Sequence, residues 1–162
     1  MAVSYAGMAD SIRAFFSNPI ILSSLTSWFL SQLLKAIIAF YQMRKKGLKE
    51  ILETLFWRTG GMPSSHAAVV TSMTVSVALN EGFGSNLFAV SLLVALVVMR
   101  DAMGVRRSVG LQAKALNMLG KHTAEQSEYE YQHLKEIRGH APLEVAVGAL
   151  LGIFISAAYA WL

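Results

Sequence analysis

Apolar residues in this chain are gathered into long runs, and that restricts the fold more than any other feature. Pro19–Met43 and Leu143–Leu162 are long enough to cross a bilayer, which takes roughly 20 apolar residues in a helix. Ala67–Leu79 and Leu87–Met99 are shorter, and reach spanning length only with their flanks, as Ser64–Asn80 and Ser85–Arg100. In hydrocarbon each backbone N–H and C=O must be satisfied inside the segment, which makes these runs helices. The 54% hydrophobic and 15% charged content and a mean hydropathy of +0.47 lie far from a soluble domain. The expectation is an all-α integral membrane bundle of about four transmembrane helices. A soluble bundle with an all-apolar core is the alternative. Residues 1–17, with Arg13 among Ile12, Phe15 and Phe16, read as an N-terminal interfacial segment, and 18–162 as one membrane-embedded domain.

Charge gives an orientation. Arg44, Lys45, Lys46, Lys49 and Arg58 lie between the first and second runs. Arg100, Arg106, Arg107, Lys114, Lys121, Lys135 and Arg138 lie between the third and fourth, leaving only Arg13 and Lys35 elsewhere. The Glu81–Asn86 connection has no basic residue. The positive-inside bias puts both basic loops in the cytoplasm and both termini outside. The chain has no cysteine, which excludes disulfides, thiol catalysis and thiolate metal sites.

Within this frame Gly60-Gly61-Met62-Pro63-Ser64-Ser65-His66 places a turn, two hydroxyls and a histidine at the mouth of an apolar helix. Free N–H groups and the helix dipole favour an anion such as phosphate there. A histidine can move a proton near neutral pH. Ser64 is equally an ordinary N-cap. Arg100-Asp101-Ala102-Met103-Gly104-Val105-Arg106-Arg107 crowds an acid and three arginines at a helix end, and guanidinium forks match phosphate oxygens. Asp101 either orients one of these arginines or forms a plain salt bridge. Val105–Leu119 reads as a further helix along the interface, with Arg106, Arg107 and Lys114 available to an anion. Lys35 shares a helix face with Ser24, Ser27 and Ser31 inside the first span. A charge at that depth costs at least about 2.5–3.5 kcal/mol, so it snorkels or faces a polar pocket.

A second histidine occurs in Gly139-His140-Ala141-Pro142-Leu143-Glu144, where Pro142 suits the first turn of the last helix. Glu144 lies four residues after His140, close enough to bond one ring nitrogen and leave the other as a nucleophile. An acid at a helix start also needs no catalytic reason. Gly148 and Gly152 form a small face for close helix packing.

Pro63-Ser64-Ser65-His66 resembles the Pro-Ser-Gly-His motif of the type-2 phosphatidic acid phosphatase superfamily, which includes bacterial acid phosphatases and vanadium haloperoxidases. Gly139–Val145 resembles the end of its third motif, Ser-Arg-x5-His-x3-Asp. Thr59–Ala68, Asp101–Asn117 and Gly139–Gly152 together are still more similar to the divergent membrane branch, where GGMPSSH, DAxGVRRxxGxQAxxLN and GHxPxEVxxG recur in that order. The resemblance implies His140 as nucleophile, Glu144 orienting it, and His66 as the acid and base. It implies Ser64 and Ser65 as a phosphate cradle and Lys35, Arg106 and Arg107 as neutralising cations, with no cofactor or metal.

The chain departs from the superfamily pattern in its first and third motifs. Leu134 stands where the third-motif arginine falls, six residues before His140, so Arg106 or Arg107 must supply it, with Lys135 and Arg138 as lesser candidates. Gln42 and Met43 stand where the first motif has arginine and proline, and Arg58 is a substitute phosphate ligand. Glu144 replaces an aspartate. The implied activity is metal-independent hydrolysis of a lipid phosphomonoester or diphosphate at the cytoplasmic face through a phosphohistidine. The charge-derived topology favours phosphatidylglycerophosphate over periplasmic undecaprenyl diphosphate. The expected partners are the membrane and the lipid phosphate, with no nucleic acid. The alternatives are a metal-dependent hydrolase with His66, His140, Glu144 and Asp101 as ligands, and a non-catalytic binder of anionic lipid.

Overall fold

The computed structural model describes residues 5–42, 61–127, 131–136 and 139–161. These residues form six helices and no strand: α1 (Tyr5–Phe16), α2 (Pro19–Gln42), α3 (Ser65–Glu81), α4 (Asn86–Met103), α5 (Val105–Gln126) and α6 (Pro142–Trp161). By length and composition, α2, the α4–α5 stretch and α6 are each apolar enough to cross a membrane. The chain is an all-α membrane bundle.

Helix α3 is the centre, packed against α2, α4 and α6. That position explains its short apolar run. A helix enclosed by others needs little lipid-facing surface, and α3 buries Ala67, Ala68, Ser72, Thr74 and Ser76 instead. The bundle is built with small residues inside and large ones outside. Ser23, Ser27 and Ser31 of α2 and Ser156 of α6 are fully buried, while Leu25, Phe29, Leu33, Ile37 and Phe40 form an exposed stripe on α2. In lipid, apolar side chains gain nothing by turning inward, so close packing and interhelical hydrogen bonds hold the helices together.

Helices α3 and α6 run side by side in the same direction. A side chain at Gly148 would meet the Ser64 carbonyl, and one at Gly152 would meet the Ala68 carbonyl. One turn further on, Ser72 and Ser156 share a 2.8 Å hydroxyl–hydroxyl bond. Near the far end Thr26 of α2 and Tyr159 of α6 bond at 2.9 Å. The small face expected from Gly148 and Gly152 therefore seats α6 on the first two turns of α3.

Both ends of α3 are marked by local chemistry. Ser64 is its N-cap, accepting from Ala67 N–H, and Gly82 closes it at φ 87°, which favours glycine. Ser85 caps α4 in the same way, accepting from Phe88 N–H at 3.1 Å. Helix α4 passes into α5 at Gly104, and α5 continues past Leu119 to Gln126. Residues 131–136 and 139–141 return along α5 as a strap. Asn117 Nδ2 donates to the Leu134 carbonyl at 3.0 Å, and Gly139 lies against the Arg107 backbone.

Candidate active site

The strap delivers His140 to the point where α4 gives way to α5. The last carbonyls of a helix lack intrahelical partners. That of Ala102 is taken by the His140 backbone N–H at 3.0 Å. Gly139 makes the approach possible, because a Cβ there would sit 2.5 Å from the Arg107 nitrogen. Pro142 then starts α6, and Glu144 in its first turn turns back to the ring. Glu144 Oε2 lies 2.8 Å from His140 Nδ1 and also accepts from Ala141 N–H at 3.2 Å. Two hydrogen bonds fix the carboxylate, and His140 itself is only 5% exposed. With Nδ1 occupied, Nε2 is the ring nitrogen left for chemistry.

The same glutamate joins the two histidine segments. Its backbone carbonyl accepts from Ser64 N–H at 2.9 Å. This bond sets the start of α6 against the start of α3, and thus His140 against His66. His66, in the first turn of α3, is exposed. Arg106, His140, Lys35 and Asp101 all lie within electrostatic reach of its ring. The N-termini of α3, α5 and α6 thereby come together at one place. N–H groups and dipoles at helix starts favour an anion.

Lys35 faces inward. Its side chain is 6% exposed and Nζ donates to Ser65 Oγ at 3.2 Å, within reach of the Glu144 charge. Snorkelling would have left it wet. Ser31 and Ser27, on the same face, are buried with it, and Ser24 is half-buried. Arg106 Nε donates to Asp101 Oδ2 at 3.1 Å in a half-exposed pair. Arg107 lines a cavity of about 570 Å³ with Lys114, Glu136 and His140. Ser64 is fully buried, and its hydroxyl is turned to the Ala67 N–H at 3.4 Å. Arg58 and Arg138 lie outside the described residues. The structure thus gathers Lys35, Ser64, Ser65, His66, Asp101, Arg106, Arg107, His140 and Glu144 around the helix starts.

Three further groups emerge that the motifs alone did not single out. Asn117 is the clamp of the strap. Its Nδ2 donates to the Leu134 carbonyl at 3.0 Å and to Glu136 Oε1 at 2.9 Å. Its Oδ1 accepts from Tyr131 Oη at 2.6 Å and from Leu134 N–H at 2.9 Å. Glu136 and Lys121 complete the group, as walls of the cavities along α5. The signal was an asparagine inside a helix, where such a side chain competes with the backbone unless it has partners of its own.

Comparison with known proteins identifies the family. Residues 16–155 match the Divergent PAP2 family. The chain is 41% identical over 152 residues to the uncharacterized membrane protein YuiD of Bacillus subtilis (strain 168), with 87% of this chain and 93% of that protein covered. No solved structure matches. The chain is an integral membrane protein, and it belongs to the Divergent PAP2 family.

Proposed function

We propose that this protein is a lipid phosphate phosphatase that hydrolyses a phosphomonoester or diphosphate through a phosphohistidine. The observation that carries the reading is the His140–Glu144 pair: a buried imidazole bonded at Nδ1 to a carboxylate, beside three helix starts and a lysine. In the first step His140 Nε2 attacks phosphorus. The bond from phosphorus to the lipid oxygen breaks, and His66 gives a proton to the leaving alkoxide. In the second step water attacks phosphorus, His66 takes its proton, and the phosphorus–nitrogen bond breaks to release phosphate.

Glu144 holds the ring in one orientation and stabilises the positive charge that develops on it. Ser65, the N–H groups at the start of α3, and Lys35 face the charge that spreads over the phosphoryl oxygens. Ser64 acts by position: its hydroxyl caps α3 and its N–H holds the Glu144 carbonyl. Arg106, oriented by Asp101, and Arg107, beside the His140 cavity, supply the cations that the missing third-motif arginine leaves open. The positive-inside bias of the two basic loops supports a site at the cytoplasmic face, with α5 along the interface there.

Phosphate release by detergent-purified protein from a panel of lipid phosphates, with chelator present, tests the reading. Wild type releases phosphate, and His140→Ala abolishes release. His66→Ala lowers turnover by about 10²–10⁴-fold while substrate binding persists. Release that stops with chelator and returns with a divalent ion would replace this mechanism with a metal-dependent one. Headgroup binding with no release from any lipid would replace the enzyme with a binding protein.

A further inference from the structure

Polar atoms buried in a membrane bundle need hydrogen-bond partners inside it. Among the described residues three lack one: Ser27 Oγ, Gln32 Oε1 and Thr71 Oγ1. The two hydroxyls have a remedy within their own helices, because a serine or threonine can turn and donate to the carbonyl of the preceding turn. Thr74 does so, to the Val70 carbonyl at 2.8 Å. An amide oxygen only accepts, so Gln32 Oε1 needs a donor brought to it.

Lys35, the one charged residue of α2, has the complementary need. It lies three residues after Gln32, so the two side chains share one side of the helix. Gln32 and Lys35 are each 6% exposed, and Ser31 beside them is fully buried. An ammonium has three protons to donate. Lys35 Nζ spends one on Ser65 Oγ at 3.2 Å, its one bond among the described residues. An acceptor without a donor and an ammonium with protons to spare, buried together one turn apart, are two sides of a water site. Ser31 supplies a third side: its own proton goes to the Trp28 carbonyl at 2.7 Å, which leaves its oxygen as an acceptor.

We propose that a water molecule binds here, accepting from Lys35 Nζ and donating to Gln32 Oε1 and Ser31 Oγ, and that Gln32 is thereby a positioning residue for Lys35. About three hydrogen bonds is the usual number for a buried water. The lysine arm is a flexible four-carbon stem, and burial alone does not aim its ammonium. Held by Ser65 on one side and by the water on the other, the ammonium faces the start of α3, where the phosphoryl oxygens lie in the proposed mechanism. Gln32 touches neither the substrate nor the reacting atoms. Its effect on turnover rests on the phosphatase reading, whereas its hold on Lys35 does not.

A double-mutant cycle on full-length protein in detergent tests this, with Gln32→Met, Lys35→Met and the double variant set beside wild type in kcat/KM for phosphate release. Gln32→Met keeps the length of the side chain and removes the acceptor. Alone it lowers kcat/KM by about 3- to 30-fold, the range of coupling within one hydrogen-bond network. In the Lys35→Met background it changes kcat/KM by less than about twofold, because the group it aims is gone. Equal losses in both backgrounds would make Gln32 a packing residue and overturn the proposal, as would no loss in either. Gln32→Ala removes the same acceptor without filling the space, and gives the cycle if Gln32→Met does not fold. If wild type releases no phosphate from any lipid, the phosphatase reading fails. The same four proteins titrated calorimetrically with phosphatidic acid then give the cycle in Kd, where coupling supports the proposal and additivity overturns it. A density map that resolves water shows one within about 3 Å of both Lys35 Nζ and Gln32 Oε1. A Gln32 oxygen bonded to a protein donor instead would overturn the water site.

Discussion

Glu144→Gln removes one charge and almost nothing else. The backbone bond from Ser64 N–H to the residue 144 carbonyl, 2.9 Å long, does not depend on the side chain. The amide oxygen can still accept from His140 Nδ1–H where the carboxylate does so at 2.8 Å. What disappears is attraction between the carboxylate and the positive ring formed when His140 takes up the phosphoryl group. Unit charges about 4 Å apart interact by about 4 kcal/mol at an effective dielectric of 20. The Glu144 side chain is 22% exposed, so water screens part of this and about 2–3 kcal/mol remains. That is about 30- to 150-fold in kcat. Phosphate release under saturating lipid measures it, beside a melting curve in detergent that stays close to wild type. Glu144→Asp keeps the charge but shortens the arm by one methylene, and its kcat falls between the two. A Glu144→Gln enzyme within twofold of wild-type kcat would refute the role given to the carboxylate.

Lys35→Met sets stability against function. A buried ammonium bonded to Ser65 is replaced by an apolar chain, so thermal stability in detergent rises by about 1 kcal/mol or more. The kcat/KM for phosphate release drops by about 10- to 100-fold, and a drop in stability would contradict the reading. Gly148→Ala pushes a methyl into the Ser64 carbonyl and costs about 1–3 kcal/mol by thermal unfolding. Gly84→Ala, which meets nothing within 4 Å, is its near-neutral control. Because the chain has no cysteine, single-cysteine variants report topology. Gly84→Cys reacts with a membrane-impermeant maleimide in intact cells, and Lys121→Cys reacts only after permeabilisation. The reverse pattern would turn the site to the outside.

The spans were legible because lipid imposes a length and a composition that a sequence displays directly. The α2 and α6 boundaries fall within one or two residues of the apolar runs. Helix α3 was legible only with its flanks added, since an enclosed helix can bury Ser72, Thr74 and Ser76 rather than large apolar side chains. The end of α5 was hidden for a different reason. Gly120 looks like a stop signal after Leu119, but its missing side chain makes room for the Tyr131 ring and the helix continues to Gln126. The strap has no apolar periodicity, so nothing local revealed that Asn117 gathers Tyr131, Leu134 and Glu136. The His140–Glu144 contact was readable from their four-residue spacing. The bond from Ser64 N–H to the Glu144 carbonyl, which brings the two histidine segments together, joins positions far apart in the chain. Ser64 was read both as a phosphate ligand and as a cap, and its hydroxyl is turned to the cap.

Direct detection of the phosphorylated enzyme tests the central claim most closely. Wild type and His66→Ala are mixed with radiolabelled lipid phosphate, quenched in alkali within milliseconds to seconds, and mapped by peptide mass spectrometry. The account predicts an acid-labile phosphate on His140, attached at Nε2 because Glu144 occupies Nδ1. His140→Ala carries no label. Steady phosphate release without a phosphorylated enzyme, or a label on Nδ1 or on any other residue, would contradict it.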